Sequence, residues 1–184
     1  MGSMLDAAGA DVQSTPATTR RDVLLAVGRI ALGGYWLWEQ HWKLPPDFGL
    51  HQPRGLMFAF QQSIRYPTLG VYKTFLQDVV VPHFHLFGWL VFLGEVVIGT
   101  SLTLGVLTKA GALLGTLQAV NLFVSQAGTP EGPWLYVALV AANLIVLVTP
   151  ANRQLSVDCI LAPKVGAAAS RNGSLLARVL RHAM

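Results

Sequence analysis

The sequence predicts an all-α fold, an integral membrane bundle of four spanning helices. Three observations carry that expectation. Of 184 residues, 53% are hydrophobic and only 12% are charged, against roughly a quarter charged in a soluble domain. The mean hydropathy is +0.49. The apolar residues collect in four runs, near 23–42, 84–107, 110–124 and 133–148. A helix rising ~1.5 Å per residue needs about 20 residues to cross a hydrocarbon core of roughly 30 Å. The first two runs reach that length. The last two require flanking turns to extend them.

Basic residues set the orientation. Arg20 and Arg21 precede the first run, Lys109 lies between the second and third, and Arg153, Lys164, Arg171, Arg178 and Arg181 follow the fourth. With four crossings these fall on one side, which places both termini in the cytoplasm of a multi-pass plasma-membrane protein. Residues 1–21 then form a flexible cytoplasmic N-terminus, 22–160 the four-span domain, and 161–184 a basic cytoplasmic tail. Residues 174–180 fit a short helix on the inner leaflet. The segment before the first run has no signal-peptide core, so that run reads as an uncleaved anchor. The net charge of +4 flanks apolar runs, which points to membrane lipid as its partner rather than nucleic acid. The single cysteine, Cys159, has no partner for an internal disulfide.

The outer loop, 43–83, holds two apolar clusters separated by Pro67. One contains Leu56, Phe58, Phe60 and Ile64, the other Tyr72, Phe75, Leu76, Val79 and Val80. Two short amphipathic helices fit this pattern. They either roof the bundle or lie in the interface. Gly111 and Gly115 give the third span a face for close packing.

Glu95 sits in the middle of the second run. A carboxylate facing lipid there costs several kcal/mol, so it must be protonated, paired or turned inward. Arg29, in the first run, either pairs with it or reaches back to the inner interface. Gln118, Asn121 and Asn143 fall near mid-depth on the last two spans. Singly they suit hydrogen bonds between helices. Taken with Glu95 they suggest a polar pocket for a quinone head group, with the carboxylate handling a proton. Trp38 joins them as a cofactor-binding candidate and equally suits an aromatic belt. His41, Lys43 and His83 lie near the outer ends of the first two spans and suggest an external mouth that attracts anions or relays protons. His83 and His85 are two positions apart, wrong for one helix face, and neither a metal site nor a haem site is expected.

Several segments together carry a resemblance. They are Lys43-Leu44-Pro45-Pro46-Asp47-Phe48, Val81-Pro82-His83, Gly94-Glu95-Val96-Val97-Ile98-Gly99, Leu104-Gly105-Val106-Leu107-Thr108-Lys109 and Leu155-Ser156-Val157-Asp158. The pattern resembles the DoxX/DoxD-like family of four-helix membrane proteins, most closely the DoxD type, over about residues 22–160. The resemblance implies the large subunit of a thiosulfate:quinone oxidoreductase, with quinone as electron acceptor and a small DoxA-like subunit or other redox subunits as partners. Self-association into a homo-oligomer is equally compatible. The leading expectation is a redox subunit that interacts with quinone, with Glu95 and Arg29 as its catalytic pair. The alternative is a non-catalytic membrane anchor or accessory subunit of a larger redox complex.

Overall fold

A computed structural model describes residues 20–149 and 156–158. The expectations for the first nineteen residues, for Cys159 and for the basic tail lie outside the described residues. The described residues are helical, with no strand among them. Helix α1 spans Arg20–Trp38 and continues as a 3-10 turn, Glu39–Trp42. Helices α2 (Leu56–Arg65) and α3 (Gly70–Phe75) follow, α3 running on into a π-helical turn, Leu76–Val80. Then come α4 (Phe84–Leu104), α5 (Thr108–Gln126) and α6 (Trp134–Val148). Pro67, which cannot donate to a continuing helix, falls between α2 and α3.

Among the described residues only α4 is both long and apolar enough to cross a bilayer unaided; α6 is apolar but shorter. Helix α1 carries Arg20, Arg21, Asp22 and Arg29, and α5 carries Lys109, Gln118 and Asn121, which dilute their apolar character.

The four long helices pack α1 on α4, α4 on α5, α5 on α6, and α6 back on α1. Glycines make the approaches close. A Cβ on Gly33 of α1 would lie 2.8 Å from the Gly99 carbonyl oxygen of α4, and one on Gly115 of α5 would lie 2.2 Å from Asn143 Oδ1 of α6. Leu32, Trp36, Ile98, Leu102, Ala112 and Leu139 fill the space between. Small residues that let backbones approach are what dispersion-driven packing of apolar helices needs.

A second apolar cluster fastens the long loop onto α4. Phe48 is fully buried with Leu56 and Phe84. Its ring meets Trp89 edge-on at 5.4 Å between centroids and packs against Gly88. Phe48 holds the left-handed backbone region, φ 51°, a conformation costing roughly 1 kcal/mol or more outside glycine. Burial of an aromatic ring offsets this. A Cβ on Gly88 would come 2.6 Å from the Phe48 ring, whereas one on Gly94 meets nothing within 4 Å. Gly88→Ala is therefore expected to cost about 1–3 kcal/mol in denaturant unfolding. Gly94→Ala should be neutral or slightly stabilising. Equal effects would show that Phe48 is not seated there.

Candidate functional site

The site is built where the end of α1 folds back against the middle of α4. The 3-10 turn tightens the chain after Trp38 and places Gln40 and Lys43, three residues apart, on one side. Both reach Glu95. The Lys43 ammonium and the Gln40 amide each donate to the same carboxylate oxygen, Oε2, at 2.5 Å. Gln118 of α5 approaches the same carboxylate, although its Nε2 completes no hydrogen bond of good geometry. Glu95, Lys43 and Gln40 are all buried. Glu95 Oε1 and Gln40 Oε1 have no hydrogen-bond partner among the described residues. A buried ionic group is tolerable only when paired, and here the pair closes in an otherwise apolar interior.

The partner of Glu95 is thus Lys43, and the expected Arg29–Glu95 pair does not form. Arg29 is buried lower in the molecule, where its guanidinium donates to the Leu102 carbonyl near the C-terminal end of α4 and lies within electrostatic reach of Asp158. Leu102 is about 10 Å along the helix from Glu95. The antiparallel register of α1 against α4 puts Arg29 beyond reach of the carboxylate. The carbonyls at a helix C-terminus carry partial negative charge, which makes them a natural partner for a guanidinium.

Lys43 also departs from the external mouth expected of it. Its ammonium turns inward and lies 4.4 Å from the centroid of the Trp42 ring. The His41 ring lies tilted against Trp38, 4.8 Å between centroids, and bonds through Nδ1 to the Trp38 carbonyl oxygen at 2.7 Å. His83 bonds to the Val79 carbonyl oxygen at 2.9 Å. These three side chains do not converge.

The four cofactor-binding candidates separate too. Gln118 stands beside Glu95. Asn143 is buried, donates to the Leu139 carbonyl oxygen at 2.8 Å and fills the gap over Gly115. Asn121 accepts from the Tyr72 hydroxyl at 3.1 Å. Burial pushes the Tyr72 phenol above the usual tyrosine range, so it remains a neutral donor. Trp38 lines a separate outer cavity of about 1050 Å³ with His41, Trp42, Arg54 and Tyr136.

Three contributors were not singled out from sequence. Gln40 had a signal, since it precedes Lys43 by three residues at the end of an apolar run. Trp42 lines the outer cavity and lies against the Lys43 ammonium of the buried pair. Asp158 is the third. It accepts from the Leu107 and Thr108 backbone N–H groups, each at 2.9 Å, and from the Thr108 hydroxyl at 2.7 Å. It caps α5 from fifty residues away.

A family model described as TQO small subunit DoxD matches residues 26–181. No curated protein and no solved structure matches the chain. The description makes DoxD a small subunit, which corrects the expectation of a large one. The match takes in most of α1, all of α2 to α6, both members of the Lys43–Glu95 pair and the Asp158 cap. The chain belongs to the DoxD family.

Proposed function

We propose that this protein is a membrane-embedded redox subunit that works with quinone, as part of a thiosulfate:quinone oxidoreductase, with Glu95 at its polar centre. The observation that carries the proposal is the cluster that Lys43, Gln40 and Gln118 form around Glu95, a buried carboxylate on the helix most able to span a bilayer. An ionisable residue at that depth marks a site for charge or protons. The family description supports the reaction class. In this reading α1, α4, α5 and α6 all cross the plasma membrane, with both termini cytoplasmic. Exposed Leu24 and Val27 on α1, Leu90 and Leu93 on α4, Leu117 on α5 and Ile145 on α6 support that placement, because a surface this apolar suits lipid.

The residues present fit a quinone at the half-buried Gln118. Its buried Nε2 stands near the Glu95 carboxylate without completing a hydrogen bond, and Glu95 Oε1 is likewise left open. A quinone carbonyl oxygen would supply an acceptor for the first, and the hydroxyl of the reduced quinol a donor for the second. Quinone, when bound, accepts the electrons. Gln118 orients the head group arriving from the bilayer, Glu95 holds or releases a proton at Oε1, and Lys43 keeps the carboxylate in place. A second subunit, DoxA-like, would bring the sulfur chemistry outside.

The closed geometry of the Lys43–Glu95 pair also favours a second reading. In it the pair is a clasp between the outer loop and α4, and the chain is a non-catalytic anchor for its partner subunit. Thiosulfate-driven quinone reduction in membranes holding the chain and its partner subunit separates the two. We expect Glu95→Gln to lower the rate about 100-fold or more at unchanged protein level, the size typical of a lost acid–base group. A wild-type rate retained by a folded Glu95→Gln protein would leave the anchor reading standing.

A further inference from the structure

We propose that the outer cavity is a binding site for an organic ammonium group. The cavity, about 1050 Å³, lies between the 3-10 turn after α1, the start of α2 and the turn joining α5 to α6. Trp38, Trp42 and Tyr136 supply aromatic walls, and Glu39 and Glu131 line it with carboxylates. Its volume is that of a site for a small organic molecule rather than for a bare ion.

The polar groups are placed to meet a cation. Glu39 is held in position, accepting from the Trp42 indole N–H at 3.2 Å, with the Tyr35 hydroxyl beside it. The Tyr136 ring lies within electrostatic reach of both Glu39 and Glu131. Among the described residues neither carboxylate takes part in an ion pair, although Arg54 lines the same cavity. Lys43, the nearest cation in sequence, is committed to Glu95 behind the Trp42 ring. The cavity thus holds two carboxylates against one guanidinium and the His41 imidazole, in a chain whose net charge is +4 with histidines neutral.

That local inversion of charge selects the ligand. A sulfur oxyanion would meet two like charges. A neutral head group would leave one of the two carboxylates without a counter-charge. An ammonium satisfies them and lies favourably on the face of a tryptophan or tyrosine. Two sources can supply such a group, a free organic amine or the ethanolamine head of a phospholipid. For the latter, Arg54 is available to the phosphate.

Calorimetric titration of the full chain in neutral detergent tests the site. Choline and ethanolamine are titrated against potassium chloride at equal ionic strength. In parallel, the chain is placed in nanodiscs of phosphatidylethanolamine or of phosphatidylglycerol, and its thermal midpoint is read in each. Saturable heat with either amine and none with potassium supports the site and identifies free amines as ligand. A higher midpoint in phosphatidylethanolamine alone, lost in Glu131→Gln, supports it with lipid as the source. Glu131→Gln and Trp38→Leu, both at exposed positions, should weaken amine binding about tenfold each while leaving helicity unchanged. No saturable heat together with equal midpoints in the two lipids overturns the proposal. So does binding that both variants retain in full.

Discussion

Lys43→Met is expected to destabilise the protein by about 3–5 kcal/mol, and Glu95→Leu by a similar amount, because each strands a charge in the interior. Both groups lie inside the molecule at 2.5 Å from one another, with Gln40 on the same oxygen. The attraction between them offsets a desolvation cost that neither can meet alone. When Lys43 is removed, Glu95 must ionise without a counter-charge or take up a proton. When Glu95 is removed, the lysine must leave, and the loop that carries Phe48 leaves with it. The double variant Lys43→Met/Glu95→Leu removes both charges and should recover most of the loss. Buried ion pairs replaced together by apolar residues are often neutral or better. Denaturant unfolding of the four proteins in one detergent gives the full cycle. Single variants within about 0.5 kcal/mol of wild type would mean that the pair is open to water. The same proteins discriminate the two functional readings. If Glu95 handles a proton, the double variant regains stability without activity. If the pair is only a clasp, it regains both.

The sequence shows the helices and Glu95 for the same reason. Apolar runs mark themselves by length, and one carboxylate inside such a run has no innocent explanation. What surrounds Glu95 was not legible. Lys43 follows the first run and looks like a loop residue at the outer surface. Only the 3-10 turn, and the Phe48 anchor five residues later, show that the loop folds back into the molecule. Arg29 attracts the eye because opposite charges at similar depth invite pairing. Register decides otherwise, setting it opposite Leu102. Gln118, Asn121 and Asn143 illustrate a further limit. Their positions along the helices are readable, but the rotation of each helix against its neighbours is not, and it sends Gln118 toward Glu95 and Asn121 to Tyr72, while Asn143 bonds back to its own helix. The family-like segments at 104–109 and 155–158 stood out as pattern without a visible purpose. Residues 156–158 and 104–108 meet each other, across a separation that no local rule reports.

That contact yields the second large effect. Asp158→Ala should cost about 3–5 kcal/mol, comparable to breaking a buried ion pair. The N-terminal turn of α5 has orphan backbone donors, and no side chain of its own cap position satisfies them. The buried Asp158 does so with both carboxylate oxygens, while its own N–H donates to the Gly105 carbonyl oxygen at 2.9 Å. A carboxylate at a helix N-terminus is also favoured by the partial positive charge there. On its other side, Asp158 balances the Arg29 guanidinium. Gly105 makes room, since it ends α4 with φ 68° and a Cβ there would meet Ser156 and the Arg29 guanidinium. One residue thereby ties the end of α4, the start of α5, the core of α1 and the segment after α6. Asp158→Asn preserves one acceptor but removes the charge, and should cost about 1–2 kcal/mol. Gly105→Ala should fall near the alanine variant of Asp158, because strain at positive φ adds to the clash. Hydrogen exchange at Leu107 and Thr108 gives the local readout. Fast exchange confined to that turn in Asp158→Ala identifies the lost cap, whereas protection equal to wild type would show that α5 begins without help from Asp158.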